Sequence, residues 1–300
     1  MEKKKVSIII PTYNRLPSLK ECLLSVLEND YPNLEIIIVD DFSTDGTREY
    51  LQNMKSERVK IILNEKNLGV SETRNAGWKM ATGEVVAFID DDCRAEKSWL
   101  TELEKEFVDE KIGFVIGNTI YFQENYHGNF PERLVNNGKA KWPGAGNIAY
   151  RKKTLEKIGG FDGINFPYAN EDTELAIRAF SAGWKYERAE KAKVFHQKAF
   201  WSAKALLRST HNFSAWPLLK KKYPKNFQEF GPNISLGIFL DLTDYLALLF
   251  LPILLPILTI RYFFYGQKEW KVFFAKWPCW LILKRIYLWQ EAFKQKSLII

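Results

Sequence analysis

A chain of 300 residues, 46% hydrophobic and 26% charged, excludes a disordered or fibrous polypeptide and has room for one large domain or two small ones. Three scattered cysteines, Cys22, Cys93 and Cys279, exclude a disulfide framework and a cysteine zinc site, and read as reduced, mostly buried thiols. The net charge of +7 is divided: residues 191–300 hold 17 Lys+Arg against 5 Asp+Glu, whereas residues 1–190 hold 26 against 31. A basic, aromatic-rich tail behind an acidic body suits nucleic acid or an anionic membrane surface. The N-terminal Met1-Glu2-Lys3-Lys4-Lys5 carries no apolar signal region, so the cytosol or a cytosol-facing membrane surface is expected.

Short β-branched runs alternate with amphipathic segments over the first ninety residues. Val6–Ile10, Glu35–Val39, Val59–Leu63 and Val85–Ile89 read as buried parallel strands. Pro17–Leu27, Thr47–Met54 and Ser71–Met80 carry helical spacing; in the first, Leu19, Cys22, Leu23, Val26 and Leu27 share one face. The alternation predicts βαβ units and a doubly wound α/β sheet. Farther on, a longer strand is expected over Ile112–Phe122, a short helix near Lys152–Ile158 and a helix from about Asp172 to Ala182. Two strands follow at Lys185–Arg188 and Lys193–Phe195. Ala203–Asn212 reads as helical, and Tyr245–Ile260 is uncharged throughout. That segment is too short to span a bilayer and carries Pro252 and Pro256, which break or kink a helix. Trp270, Trp277, Trp280 and Trp289, interleaved with Lys271, Lys276, Lys284 and Arg285, predict an interfacial, monotopic segment. A water-soluble homodimer with an apolar interface is the alternative.

Candidate chemistry lies where the strands end, the ligand crevice of open α/β sheets. Pro11-Thr12-Tyr13-Asn14-Arg15 follows the first strand, and its hydroxyl and ring suit a nucleotide base. Asp40–Thr47 follows the second; a carboxylate there accepts from base or ribose donors, and Ser43 or Asp45 is expected to cap the next helix. Asp90-Asp91-Asp92 ends the fourth. Three adjacent carboxylates repel, so a cation is expected beside them, with Mg²⁺ or Mn²⁺ suited to oxygen ligands and substrate phosphates. No Walker-type phosphate loop occurs. Trp142-Pro143-Gly144-Ala145-Gly146-Asn147 sets an aromatic plate beside pliable backbone, suited to a sugar ring. Asn170-Glu171-Asp172-Thr173-Glu174 opens a helix, where the dipole favours acids.

Together these residues resemble family 2 glycosyltransferases of the GT-A fold over about residues 6–215. Ile37–Thr47 resembles the family's V-D-D-x-S-x-D-G-T segment, and Asn67–Gly77 its N-x-G-x-x-x-A-R-N-x-G helix, with Thr73 in place of Ala. Asp90–Asp92 is similar to the D-x-D metal motif, and Glu171-Asp172 to the E-D pair of the acceptor-side helix. The resemblance implies a GT-A catalytic domain over 1–215, with a nucleotide-binding half to about 110, an acceptor-side half from 111, and a hydrophobic helical extension over 216–300. It places Pro11, Thr12, Tyr13, Arg15, Asp41, Gly69, Arg74, Asp90 and Asp91 on the donor. Asp92 and His196 fall on Mn²⁺ or Mg²⁺, Asp172 as general base, and Trp142, Gly144 and Glu171 on the acceptor side. Asp91 stands where the family has a small residue, leaving open which carboxylate binds metal. Without a Q-x-x-R-W motif, a processive synthase is not expected.

The implied reaction is inverting transfer from a UDP-, GDP- or dTDP-sugar to a glycan or lipid-linked acceptor at the cytoplasmic face of a membrane, with no nucleic acid involved. A nucleotidyltransferase of nucleotide-sugar synthesis would be expected to carry a glycine-rich N-terminal loop where Pro11–Arg15 stands. A non-catalytic membrane-binding protein on the same fold is the second alternative.

Overall fold

A computed structural model describes residues 3–121, 143–167, 169–197 and 202–297, apart from 233, 236–237, 240–245, 247, 266–270 and 272–273. The described residues divide into two compact units: those within 1–122, 135–167 and 171–197, and those of 169–170 and 202–297.

The first unit is built on an eight-stranded mixed sheet. In chain order its elements are β1 (Val6–Thr12), α1 (Leu16–Leu27), β2 (Leu34–Asp40), α2 (Thr47–Gln52), β3 (Val59–Leu63), α3 (Val70–Met80) and β4 (Val85–Phe88). They continue as β5 (Cys93–Ala95), α4 (Trp99–Glu104), β6 (Ile112–Tyr121), β7 (Ile148–Arg151), α5 (Lys152–Ile158), α6 (Glu171–Ser181) and β8 (Lys185–His196). The strand order is β3-β2-β1-β4-β7-β6-β8-β5. β3, β2, β1 and β4 are mutually parallel, the predicted βαβ half. β7 runs antiparallel to β4 and to β6, β8 is parallel to β6, and β5 is antiparallel to β8. The second half therefore departs from a doubly wound parallel sheet.

Every residue of β1 and β2 is buried, which is why their apolar runs are continuous rather than alternating. The inward face of α1, with Leu19, Cys22, Leu23 and Val26, packs into a core that also holds Ile8, Ile10, Ile36, Trp99 and Leu103. Each such side chain contributes about 1.5–3 kcal/mol of burial. Because β1, β2 and β4 are parallel neighbours, their C-terminal ends, and the turns that follow, lie on one edge of the sheet.

Two local expectations change. The strands expected at Lys185–Arg188 and Lys193–Phe195 are one strand, β8, interrupted by a register shift where Gly117 faces Ala189 and Asn118 faces Lys193. Neither Ser43 nor Asp45 is the N-cap of α2; Gly46 holds that position, and Asp45 instead accepts from the Leu16 N–H at the start of α1 and from Thr47.

The second unit is mainly helical: α7 (Ala203–Arg208), α8 (Ala215–Lys222), α9 (Phe227–Phe230), a helix over Leu251–Tyr265 and a C-terminal helix over Leu281–Gln295. The helix Leu251–Tyr265 runs through both prolines expected to disrupt it. Pro252 falls in its first turn, where a missing N–H costs nothing, and Pro256 lies inside. Among the described residues no helix is long and apolar enough to cross a membrane. Lys284 and Arg285, expected on a membrane-facing surface, are buried, and the Lys284 ammonium lies 4.3 Å from the Trp280 ring centroid. The exposed stripe of the C-terminal helix is instead Ile282, Ile286, Trp289 and Phe293. Trp270 lies outside the described residues.

Candidate active site

The turns after β1 and β2 are stitched together. Asn14, at φ 52°, donates its N–H to Ser43 Oγ (2.8 Å), and its own Oδ1 accepts from Thr44 N (2.7 Å). Pro11 and Thr12 end β1 buried, whereas Tyr13 and Phe42 project into solvent from the paired turns. Asp41 is buried, with both oxygens engaged. Oδ1 accepts from Asn64 Nδ2 (2.9 Å) and Leu68 N (2.8 Å), and Oδ2 from Gly69 N (2.9 Å). Gly69 sits at φ 84° with an extended ψ, a conformation open to glycine, and this aims its N–H at the carboxylate.

The acidic run is neutralised by two guanidinium groups. Arg15 Nη1 bridges Asp91 Oδ1 (3.1 Å) and Asp92 Oδ2 (2.7 Å), while Arg74 Nη2 donates to Asp90 Oδ1 (2.8 Å). Mutual repulsion among the three acids is thus met within the protein, a source of positive charge other than the metal expected from sequence. The three side chains also differ in setting. Asp91 is 6% exposed and accepts from Thr12 Oγ1 (2.7 Å), while Asp92 and Asp90 are 17% and 31% exposed. Burial, partly offset by Arg15 and Thr12, pushes the Asp91 carboxyl up to about 6. Burial acts on Asp90 in the same direction but is overcome by Arg74, with help from His196 and Arg15, so its carboxyl is held below the ordinary range.

His196 reaches this cluster through sheet pairing. β5 and β8 align Cys93 with His196, and Gln197 N donates to Asp92 O (2.8 Å). The result places His196 Nε2 3.3 Å from Asp92 Oδ1, with Cys93 Sγ 3.9 Å from the same oxygen. One donor atom from each residue lies within 4.8 Å of the others, a carboxylate–thiol–imidazole set that fits a divalent cation. Asp92 and His196 were expected as ligands. Cys93 is buried and free, as the sequence leads one to expect.

Arg74 joins this edge to the start of α6. Its Nη1 donates to Glu171 Oε1 at 2.8 Å, opposite the bond from Nη2 to Asp90. The neighbouring Asp172 accepts from Thr173 N (2.7 Å) and Ala145 N (3.1 Å). Burial, reinforced by the Glu171 charge and opposed by Arg74 and the two N–H donors, pushes the Asp172 carboxyl up to about 7. Ala145 belongs to the 3-10 turn Ala145–Asn147, which opens at Gly144 and is tied down by Trp99 Nε1 on Asn147 Oδ1 (2.8 Å). A Cβ on Gly146 would stand 2.9 Å from Asp90 Oδ2, so this turn approaches Asp90 as closely as backbone allows. Arg15, Arg74, Asp90–Asp92, His196, Gly144–Gly146, Glu171 and Asp172 are thereby brought to one locus. Asp41 and Gly69 occupy the adjoining turn, linked by the Asp41 N–H on Thr12 O. Trp142 lies outside the described residues.

This chain is similar to several curated glycosyltransferases. TuaG of Bacillus subtilis strain 168, a putative teichuronic acid biosynthesis glycosyltransferase, is 40% identical over 111 residues, 36% of this chain and 44% of that protein. A Campylobacter jejuni GalNAc(5)-diNAcBac-PP-undecaprenol beta-1,3-glucosyltransferase is 34% identical over 140 residues, 46% of the chain and 44% of the relative. GlyA of Streptococcus pneumoniae is 27% identical over 197 residues, 65% of the chain and 26% of the relative. The chain spans less than half the length of these relatives. Among solved structures, the mannosyltransferase PcManGT of Pyrobaculum calidifontis, in complex with GDP-Man and Mn²⁺, aligns with a TM-score of 0.66 at 19% identity, over 96% of this chain and 88% of that one. S. aureus TarS 1-349 aligns with a TM-score of 0.57 at 22% identity, over 75% and 69%. These likenesses establish the GT-A fold expected from sequence. The sequence model described as glycosyl transferase family 2 matches residues 7–173, a span holding every residue of the locus except His196. The chain belongs to glycosyl transferase family 2.

Proposed function

We propose that the chain is an inverting, metal-dependent glycosyltransferase that moves a sugar from a nucleoside-diphosphate donor to an acceptor hydroxyl. The observation that carries this reading is the bridge made by Arg74 between Asp90 and the Glu171–Asp172 pair. It holds a candidate donor-side acid and a candidate base within one arginine's reach. Asp172 accepts the acceptor proton as the acceptor oxygen bonds to the anomeric carbon and the nucleoside diphosphate departs from the opposite face. A carboxyl lifted towards neutrality is matched to that task. Asp92 and His196 would hold the cation, which supplies, when bound, Lewis-acid neutralisation of the leaving diphosphate. Thr12, Tyr13, Asp41 and Gly69 line the turns that would take the nucleotide, and Gly144 and Glu171 the acceptor side.

A lipid-linked glycan acceptor is favoured by the undecaprenol-linked relatives, including Escherichia coli WfgD, a UDP-Glc:alpha-D-GlcNAc-diphosphoundecaprenol beta-1,3-glucosyltransferase. Peripheral attachment to the cytoplasmic face is supported by the exposed stripe Ile282, Ile286, Trp289 and Phe293 within a strongly basic segment. We assign the catalytic domain to 1–215 and the membrane-associated extension to 216–300.

The test is release of nucleoside diphosphate from UDP-, GDP- and dTDP-sugars with Mn²⁺ or Mg²⁺, with and without a polyprenyl-diphosphate-linked acceptor. Acceptor-stimulated release with one donor is expected. Pyrophosphate release from a nucleoside triphosphate and a sugar phosphate would point to a nucleotidyltransferase, and inactivity across the panel would overturn the reading.

A further inference from the structure

We propose that the Phe42 ring stacks on the base of the donor nucleotide, making Phe42 a determinant of nucleoside affinity. The proposal rests on the reading of this edge as a nucleotide-sugar site and adds a residue to it. Among the described residues, those other than glycine that hold a positive φ are Asn14, Phe42, Asn170 and Lys296. Asparagine tolerates such a backbone because its short polar side chain bonds locally, and Lys296 ends the C-terminal helix. Phe42, at φ 71°, is bulky and sits within a turn. A residue of that kind is unfavourable in the left-handed region and persists only where its surroundings impose the conformation, as they do at ligand sites.

Both neighbours of Phe42 are pinned. Asp41 donates its N–H to Thr12 O (2.9 Å), and its carbonyl oxygen accepts from Asn67 Nδ2 (3.3 Å). Ser43 N donates to the Asp40 carboxylate (3.2 Å), and Ser43 Oγ accepts from Asn14 N (2.8 Å). The ring is thereby held out from the turn, 44% exposed, on the turn paired with that of Tyr13, itself 47% exposed. It is backed by Arg48, whose guanidinium carbon lies 5.4 Å from the ring centroid and is fixed by bonds to Asp40 Oδ2 (3.0 Å) and Asn64 O (2.8 Å). A fixed, half-exposed aromatic plate at the ligand edge suits a nucleobase, since every base has a π-face. Polar recognition here is limited. The Asp41 carboxylate has about four lone-pair positions, and Asn64, Leu68 and Gly69 already donate to it, which leaves little for a base N–H. The remaining contact with a base has to come from rings.

The test is calorimetric binding of UDP, GDP, dTDP and inorganic pyrophosphate, each with Mn²⁺, to the full chain and to Phe42→Asn, Phe42→Gly and Phe42→Tyr. In Phe42→Asn and Phe42→Gly, affinity for whichever nucleotide the wild type binds should fall roughly 5- to 150-fold, the scale of one base–aromatic stack. Affinity for pyrophosphate, which has no base, should hold, and Phe42→Tyr should restore nucleotide binding. Tm should not fall in the Asn and Gly variants, because both residues accept the backbone that is unfavourable for Phe42, so folded protein is at hand for the comparison. A ring that only shelters the Arg48–Asp40 ion pair would instead lower Tm on removal and leave nucleotide affinity within about two-fold of wild type. Nucleotide affinity unchanged on that scale overturns the proposal. So does a loss shared with pyrophosphate, or one that Phe42→Tyr does not restore. Failure of the wild type to bind any of the three nucleotides overturns the donor-site reading itself, and the proposal with it.

Discussion

Removing Arg74 should weaken both the fold and the base. Its guanidinium is buried and donates at 2.8 Å to Asp90 on one side and to Glu171 on the other. Arg74→Met keeps much of the packing but leaves two carboxylates without their cation. Breaking a buried ion pair by deleting one partner costs about 3–5 kcal/mol. At about 2–4 °C per kcal/mol for a unit of this size, Tm should fall by roughly 6–20 °C. Arg74→Lys retains the charge but cannot span both acids with a planar fork. It should lose one charge-assisted hydrogen bond, about 1.5–3 kcal/mol. The pH dependence separates these structural losses from a catalytic one. Arg74 lowers the Asp172 carboxyl against the pull of burial and Glu171, so without it Asp172 must titrate above about 7. The midpoint of the pH–rate profile should therefore move up in Arg74→Met and stay near its wild-type value in Arg74→Lys. Urea unfolding and a pH series of donor turnover measure the two effects. An Arg74→Met protein within about 1 kcal/mol of wild type, with an unshifted midpoint, would refute the reasoning.

The remaining predictions are more local. Asp172→Asn should lower turnover by about 10²–10⁴-fold while calorimetric donor affinity is unchanged. In the wild type the base works as carboxylate, so turnover should be low at acid pH and rise through about 7 to a plateau. Asp41→Ala should destabilise the protein by about 2 kcal/mol or more whatever Asp41 does to a nucleotide, because the Leu68 and Gly69 N–H groups lose their acceptor; chemical denaturation measures this. Trp289→Glu with Phe293→Glu should reduce co-sedimentation with anionic phospholipid vesicles while leaving Tm within about 2 °C, since both rings are exposed and Phe293 is 89% so. Undiminished sedimentation would remove the C-terminal helix from the membrane proposal.

What was legible in the sequence was local. Continuous β-branched runs with both faces buried announced β1, β2 and β4, and the acids that follow them marked the strand ends because parallel strands open onto one edge. The position of α3 followed from helical spacing, and its start at Val70 was missed by one residue. Contacts between residues far apart in sequence were not legible. Nothing near Asp45 reveals that it serves Leu16, and no periodicity announces that β8 is a single strand bent at a register shift. Lys284 and Arg285 read as surface charges by composition, yet the second unit buries both.

The locus divides along the same line. The residue types that can bind a diphosphate or accept a proton were evident in Asp90–Asp92 and Glu171-Asp172. Which of the acids are bound to which cations depends on chain closure over long distances. Arg74 meets Glu171 across 97 positions, and Thr12 meets Asp91 across 79. Cys93 joins His196 only because β5 pairs with β8. Sequence alone determined the chemical capacity of the strand ends, since that capacity belongs to side chains and their immediate neighbours. The tertiary structure decided the partners, because hydrogen bonds and ion pairs depend on distances of a few ångströms that only the assembled sheet sets.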